Sequence, residues 1–230
     1  MDKASKEIDT GLAKDPELQA QMMNVMGKVY DKLGLYPRAE SLLTRAVDLR
    51  RRVLGPRNPD TLMSMSNLGS VLDDEGRYAD AEKLLRETGD IQRRVLGPNH
   101  PDTLFSMHAL GWVLKNLARY AEAEKLQRET LDIRRRVLGP EHPDTLGSMG
   151  NLAFTLEQLG HYPEAEKLQR DGLDIERRIL GPSSRAHWPQ WVTCLSLLHG
   201  RVAMPRQRSC SATNSRLSAA SSGPSTRTHY

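Results

Sequence analysis

The stretch "RRVLGPRNPDTL", residues 51–62, returns as "RRVLGPNHPDTL" at 93–104 and as "RRVLGPEHPDTL" at 135–146. Successive copies start 42 residues apart, and Tyr36, Tyr78, Tyr120 and Tyr162 keep the same interval. A fixed period of this length marks a repeat architecture, in which one supersecondary unit is stacked several times. A more degenerate copy precedes these, beginning near Leu18.

Each unit reads as two helices. Asn58, His100 or His142 sits at or near the first N-cap, and Pro59, Pro101 or Pro143 follows in the first turn, where a missing N–H costs nothing. Asp60, Asp102 and Asp144 then place negative charge at the positive end of the helix dipole. Leu62, Met65, Leu68 and Leu72 recur at the spacing of one buried stripe, and Gly76 ends the helix. In the second helix Tyr78, Ala81, Leu84 or Leu85, and Ile91 form the apolar face; Arg93 and Arg94 lie in the last turns, and Gly97-Pro98 is the stop. Ala39, Ala81, Ala123 and Ala165 mark a contact that admits only a small side chain. A hairpin of this size cannot bury both apolar faces alone, so neighbouring copies must stack into an all-α solenoid.

These features, with "NLG" or "NLA" in the first helix, Gly-Tyr at the turn and "AEAEKL" in the second, resemble the tetratricopeptide repeat. The 42-residue period and the "LGPEHPDTL" linker are similar to the longer repeat of kinesin light chains. The resemblance spans residues 18–182 and implies a right-handed superhelix whose first helices line a concave groove for peptides or partner helices. It also implies that an asparagine just before the "LA" or "LG" bonds the peptide backbone. Asn67 and Asn151 match; Ala109 and Val25 stand at the equivalent places, so the row is incomplete.

The expected organisation is an N-terminal extension over 1–17, repeats over about 18–60, 61–102, 103–144 and 145–182, and an irregular tail over 183–230. The tail has lost the period, and a one-base slip in the gene accounts for it. Read one base out of frame, residues 186–194 can encode "TLASMGNL" and 201–213 "GRYAEAEKLQRD", close to the preceding repeat; some positions, such as Arg185-Ala186, fail. The tail is therefore read as an out-of-frame fifth repeat, with a genuine disordered tail as the alternative. Without a fifth repeat, the last helix is expected to expose Leu168, Leu173, Ile175 and Ile179, forfeiting roughly 1.5–3 kcal/mol for each. Self-association through that end, or an improvised cap from "HWPQWVTCLSLLHG", follows from the same expectation.

The formal charge of +4 points to nucleic acid until it is located. Residues 183–230 hold six arginines and no lysine or acid, which leaves 27 basic and 29 acidic side chains elsewhere. A near-neutral solenoid argues against a nucleic-acid partner. No run of 18 apolar residues exists and the charged N-terminus lacks a signal-peptide core, so no membrane partner and a cytoplasmic location are expected. Cys194 and Cys210 have no metal-ligand spacing. Walker, HExxH and GxSxG motifs are missing from the sequence, so neither enzymatic activity nor a cofactor or metal is expected. The arginine runs at 50–52, 93–94, 134–136 and 177–178 read as partners of helix C-termini and of Glu87, Glu129 or Glu176.

What remains is a groove. The inward positions of the first helices are Gln21, Asn24, Lys28 and Asp31; Met63, Ser66, Ser70 and Asp73; Phe105, His108, Trp112 and Lys115; Gly147, Gly150, Phe154 and Glu157. The candidate peptide-binding residues are Asn67, Ser70, Asp73, Phe105, His108, Trp112, Lys115, Asn151, Phe154 and Glu157. Phe105 and Trp112 beside Lys115 suit an apolar side chain with a neighbouring carboxylate. The alternative for Trp112 and Phe154 is that they fill gaps between repeats. The expected function is a protein-interaction module with a protein or peptide partner; the alternative is a truncated structural arm of a larger regulatory protein.

Overall fold

The structure, a computed structural model, describes residue 8, residues 10–12 and residues 14–180. Between residues 16 and 180 the described chain forms eight helices in four hairpins: α1 (Pro16–Lys32) with α2 (Tyr36–Val53), α3 (Pro59–Asp74) with α4 (Tyr78–Val95), α5 (Pro101–Asn116) with α6 (Tyr120–Val137), and α7 (Pro143–Gln158) with α8 (Tyr162–Leu180). No strand occurs among the described residues. Each helix packs on the next in the chain, and α1, α3, α5 and α7 also touch one another in succession, as in an α-solenoid. The tail reading and the out-of-frame repeat fall outside the described residues.

The repeated linker forms because its residues satisfy the helix end at both sides. Asp60 N–H donates to Asn58 Oδ1 at 2.9 Å, and Asp102 and Asp144 N–H donate to Nδ1 of His100 and His142 at 3.2 and 3.1 Å. Thr61, Thr103 and Thr145, all fully buried, donate their hydroxyls to the carbonyls of Gly55, Gly97 and Gly139 at 2.9, 2.9 and 2.8 Å. The linker is thereby tied to the helix it precedes, which sets the angle between one hairpin and the next.

Within a hairpin the helices come together over small residues. Ala39, Ala81, Ala123 and Ala165 are at most 1% exposed. Opposite lie Gly27, Gly69, Gly111 and Ala153, one in each first helix. A Cβ on Gly69 would stand 2.6 Å from Leu85 Cγ, and one on Gly27 would stand 2.6 Å from Leu43 Cγ. In the third copy the facing residue is Gln127, which is unbranched at Cγ, and the distance relaxes to 3.1 Å. The fourth copy has Gln169 there and accepts Ala153, fully buried.

The hairpin turns close on a left-handed residue: Gly34, Gly76 and Gly160 at φ +70°, +80° and +79°. The third copy has Ala118 instead, at φ +57°.

Two expectations change. Leu168 and Ile175, expected to be exposed, are each 8% exposed. Leu168 packs with Leu131, Met149, Leu152 and Leu156; Ile175 takes the place where Ile133 packs on Leu104 and Met107 of its own hairpin. Both positions are buried, while Ile179 is 49% exposed and Leu173 half-buried. The arginine runs also divide. Arg50 and Arg134 are 6% and 5% exposed and reach into the following repeat, whereas Arg93 forms the expected surface pair with Glu129 at 2.9 Å. The extension also contributes to the core: Ile8 packs with Met23, Leu42 and Ala46.

Two substitutions test this packing by chemical denaturation. Gly69→Ala drives a methyl into Leu85 and is expected to cost about 1–3 kcal/mol. Ala118→Gly relieves a left-handed alanine and is expected to gain about 0.5–1 kcal/mol, the strain relieved exceeding the added unfolded-chain entropy.

Candidate functional site

A polar seam runs between successive first helices, one rung per repeat. Asn67 Nδ2 donates to Asn24 Oδ1 at 3.0 Å, Asn116 Nδ2 donates to Asp73 Oδ1 at 2.8 Å, and the Asn151 amide meets His108 Nε2 at 3.2 Å. The incomplete asparagine row has its explanation here. Asparagine occurs where the preceding copy presents Asn24 or His108; where it presents Ser66, that hydroxyl bonds Ser106 at 2.6 Å and the following copy carries Ala109.

A second row joins each second helix to the next hairpin. Arg50 Nη1 donates to the Asp60 carbonyl and to Ser64 Oγ, both at 2.8 Å. Arg134 Nη1 repeats the pattern with the Asp144 carbonyl at 3.0 Å and Ser148 Oγ at 2.7 Å. Gln92 stands between them in the period, fully buried, and accepts from Ser106 Oγ at 2.6 Å. The signal for this row was present in Ser64, Ser106 and Ser148, which recur at the 42-residue interval.

His108 connects the two rows. Arg134 Nη1 lies 3.2 Å from its Nδ1, and a guanidinium can only donate, so Nδ1 is the acceptor. The proton then sits on Nε2, 3.2 Å from Nδ2 of Asn151, and pairs with that amide when it is turned to present its oxygen. Burial first, and the Arg134 charge second, hold the imidazole down at about 4, with Asp144 opposing.

Beside the seam lies an aromatic and cationic face. Phe105, Trp112 and Phe154 are 36%, 39% and 38% exposed, although each is large and apolar. Phe105 and Trp112 share one stripe of α5, seven residues apart, which is about two turns. Lys115 Nζ stands 3.1 Å from the Trp112 ring centre and 5.0 Å from that of Phe154, bridging α5 to α7 through cation–π contacts worth about 0.5–2 kcal/mol. Burial lowers the Lys115 ammonium from its ordinary value, and the Asp73 charge opposes. Burial likewise raises Asp73, against the Asn116 hydrogen bond and the Lys115 charge. Asp74 next to it is pushed up to about 6, by burial and then by Asp31.

The ten sequence candidates therefore separate. Phe105, Trp112, Phe154 and Lys115 form one surface. Asn67 and Asp73, 5% and 8% exposed, are drawn into the seam with His108 and Asn151. Ser70 Oγ donates back to the Ser66 carbonyl at 3.2 Å, and Glu157 accepts from Gln169 Nε2 at 2.6 Å. Sequence reasoning missed the buried roles of Arg50, Gln92 and Arg134, because an arginine in a helix's last turn already has a sufficient surface explanation. Among the described residues no group of three or more His, Cys, Asp or Glu is placed to hold a metal ion, and no helix is long and apolar enough to cross a membrane.

The His108 arrangement carries a pH dependence of known sign. Its folded value lies below that of an unfolded histidine, so the contribution is complete above about pH 6.5 and falls away as pH drops toward 4. The expected loss is on the order of 2–3 kcal/mol, read as a fall in the denaturation midpoint from pH 7 to pH 4. His108→Gln should flatten that part of the profile; an unchanged profile would remove His108 as its source.

Models of the tetratricopeptide repeat match residues 18–88, 103–144 and 145–186, the last extending four residues past the repeat boundary read at 182. No curated protein matches the chain. Among solved structures, the chain is similar to nearly identical TPR-like repeats described as kinesin light chain from Podospora anserina, with TM-score 0.64 and 24% identity over 76% of this chain and 85% of that one. It is similar to BtubC (BKLC) of P. vanneervenii, with TM-score 0.65 and 17% identity over 76% of this chain and 70% of that one. A Rap protein complexed with Competence and Sporulation Factor superposes with TM-score 0.68 and 14% identity over 85% of this chain and 51% of its own. The period, the hairpins and the matched segments agree: the chain belongs to the tetratricopeptide repeat family.

Proposed function

We propose that the chain is a non-enzymatic interaction module that holds a peptide segment or helix of a partner protein in a concave groove along its first helices. The repeat fold is that of a protein-interaction module. The observation that carries the finer reading is the Lys115 ammonium set between the Trp112 and Phe154 rings, with three large aromatics each more than a third exposed on that face. Exposed aromatics beside a partly desolvated cation are where recognition energy concentrates. Phe105, Trp112 and Phe154 take an apolar side chain of the partner, and Lys115 pairs with a carboxylate next to it. Ser70, Asp73 and Glu157 form the polar border. Asn67, His108 and Asn151 position the first helices through the seam rather than meeting the partner with free donors. That a Rap protein of similar fold is found in complex with Competence and Sporulation Factor supports ligand capture by such a scaffold.

The test is a pull-down with the full chain, followed by titration of the captured partner. Trp112→Ala is expected to weaken binding by roughly 2 kcal/mol or more, thirtyfold or beyond, while stability changes by less than about 1 kcal/mol. Lys115→Met keeps the packing and removes the charge, so it should reduce both affinity and its salt dependence. A Trp112→Ala variant that melts much earlier, or one that binds undiminished, would return the aromatic face to a packing role.

A further inference from the structure

Gly89 interrupts the repeat at one buried place on the second helices. Its counterparts at the 42-residue interval are Val47 and Leu131, both buried, and Leu173, half-buried. Val47 on α2 packs against Leu62 and Met65 of α3, and Leu131 on α6 packs against Met149 and Leu152 of α7. Each fills the corner between a second helix and the first helix of the next hairpin. At Gly89 that corner is open. A Cβ there would meet nothing closer than Ser106 Cβ at 4.0 Å.

The opening leads into a cleft of about 380 Å³ between α4, α5 and α6, floored by Leu85, Met107, Leu110, Leu114 and Leu126. One repeat later the corresponding cleft measures about 290 Å³, with Leu131 standing where Gly89 was. The same chain thus contains both the filled and the unfilled version of one site. Glycine weakens a helix interior and leaves this corner without a side chain of its own, over a floor whose Leu85, Met107, Leu110 and Leu114 are buried and whose Leu126 is half-buried.

The mouth is framed. Arg86 on α4 pairs with Glu122 on α6 at 3.4 Å, and two turns on Arg93 pairs with Glu129 at 2.9 Å. Lys125 and Asp90 complete the rim, so the charges of the three cations and three anions cancel. A balanced rim around an apolar floor favours an uncharged guest.

We propose that this cleft is a second docking site, which takes one uncharged aliphatic side chain of about leucine size from a partner peptide and so receives in trans the group that Gly89 lacks. The site is separate from the aromatic face. At helical spacing, Met107, Leu110 and Leu114 project from the side of α5 away from Phe105, His108 and Trp112.

Methyl NMR spectra of the full chain, titrated with N-acetyl-leucinamide and separately with N-acetyl-glycinamide, test it. The leucine probe is expected to give saturable shifts at the Met107 and Leu126 methyls, and removing its isobutyl group should weaken binding about tenfold or more. Gly89→Leu should abolish these shifts while raising the melting temperature, and Gly89→Val, which copies Val47, should weaken them. Shifts that rise linearly without saturation, that are absent, or that persist in Gly89→Leu would overturn the proposal. Methyl shifts that depend on protein concentration without any probe, and vanish in Gly89→Leu, would assign the cleft to a second copy of the chain and overturn the peptide partner.

Discussion

The rest of the structure depends on how closely two helices can approach at one level of the hairpin. Ala81 and Gly69 face each other's helices with no room for another carbon, since a Cβ on Gly69 would lie 2.6 Å from Leu85 Cγ. That distance sets the thickness of a repeat. Thickness in turn sets how far apart α1, α3, α5 and α7 stand, and only at that spacing can an asparagine amide in one first helix reach the side chain presented by the preceding one. The fourth copy shows the rule from the other side, because Ala153 is accepted where the facing residue is Gln169.

Apolar stacking alone would allow neighbouring hairpins to slide by a turn. The buried polar groups remove that freedom. Arg134 is nearly inaccessible, and displacing it from the Asp144 carbonyl and Ser148 would leave a guanidinium in the interface without partners, a cost of several kcal/mol. Its Nε already lacks one, as does that of Arg50. The arrangement is thus tuned for register more than for strength. Surface pairs such as Arg119 with Glu82 at 2.7 Å join successive second helices but lie in solvent, where each contributes roughly 0.2–1 kcal/mol.

Most of the fold could be read from the sequence because the period repeats its own evidence. Asn58, His100 and His142 as caps, the four alanines as close contacts, and Gly76 as a stop are local signals, and a local signal seen three times is hard to misread. The failures were non-local. Whether Arg50 faces solvent or the next hairpin depends on a serine 14 residues away in another helix. The exposure expected at Leu168 assumed that only a fifth repeat would cover it, whereas its own hairpin and the preceding repeat pack against it. Of the candidate face, Phe105, Trp112 and Lys115 were visible as residues out of keeping with their stripe. That Phe154 joins them over Lys115 needed coordinates, since the two helices are brought together only by stacking.

In a chain whose copies share caps, stops and close contacts, positions where one copy departs from the others are freed from the demands of folding. Trp112 stands where the other copies carry Lys28, Ser70 and Phe154, and Gly89 where they carry Val47, Leu131 and Leu173. Trp112 leaves a large ring in water, and Gly89 removes a side chain from a buried corner. Both belong to the middle two repeats, where neighbours on each side hold the helices most firmly, and a rigid surround makes an exposed ring or an empty corner selective. In the proposed reading, repetition supplies the stiffness there, and departure from it supplies the means of telling one partner from another.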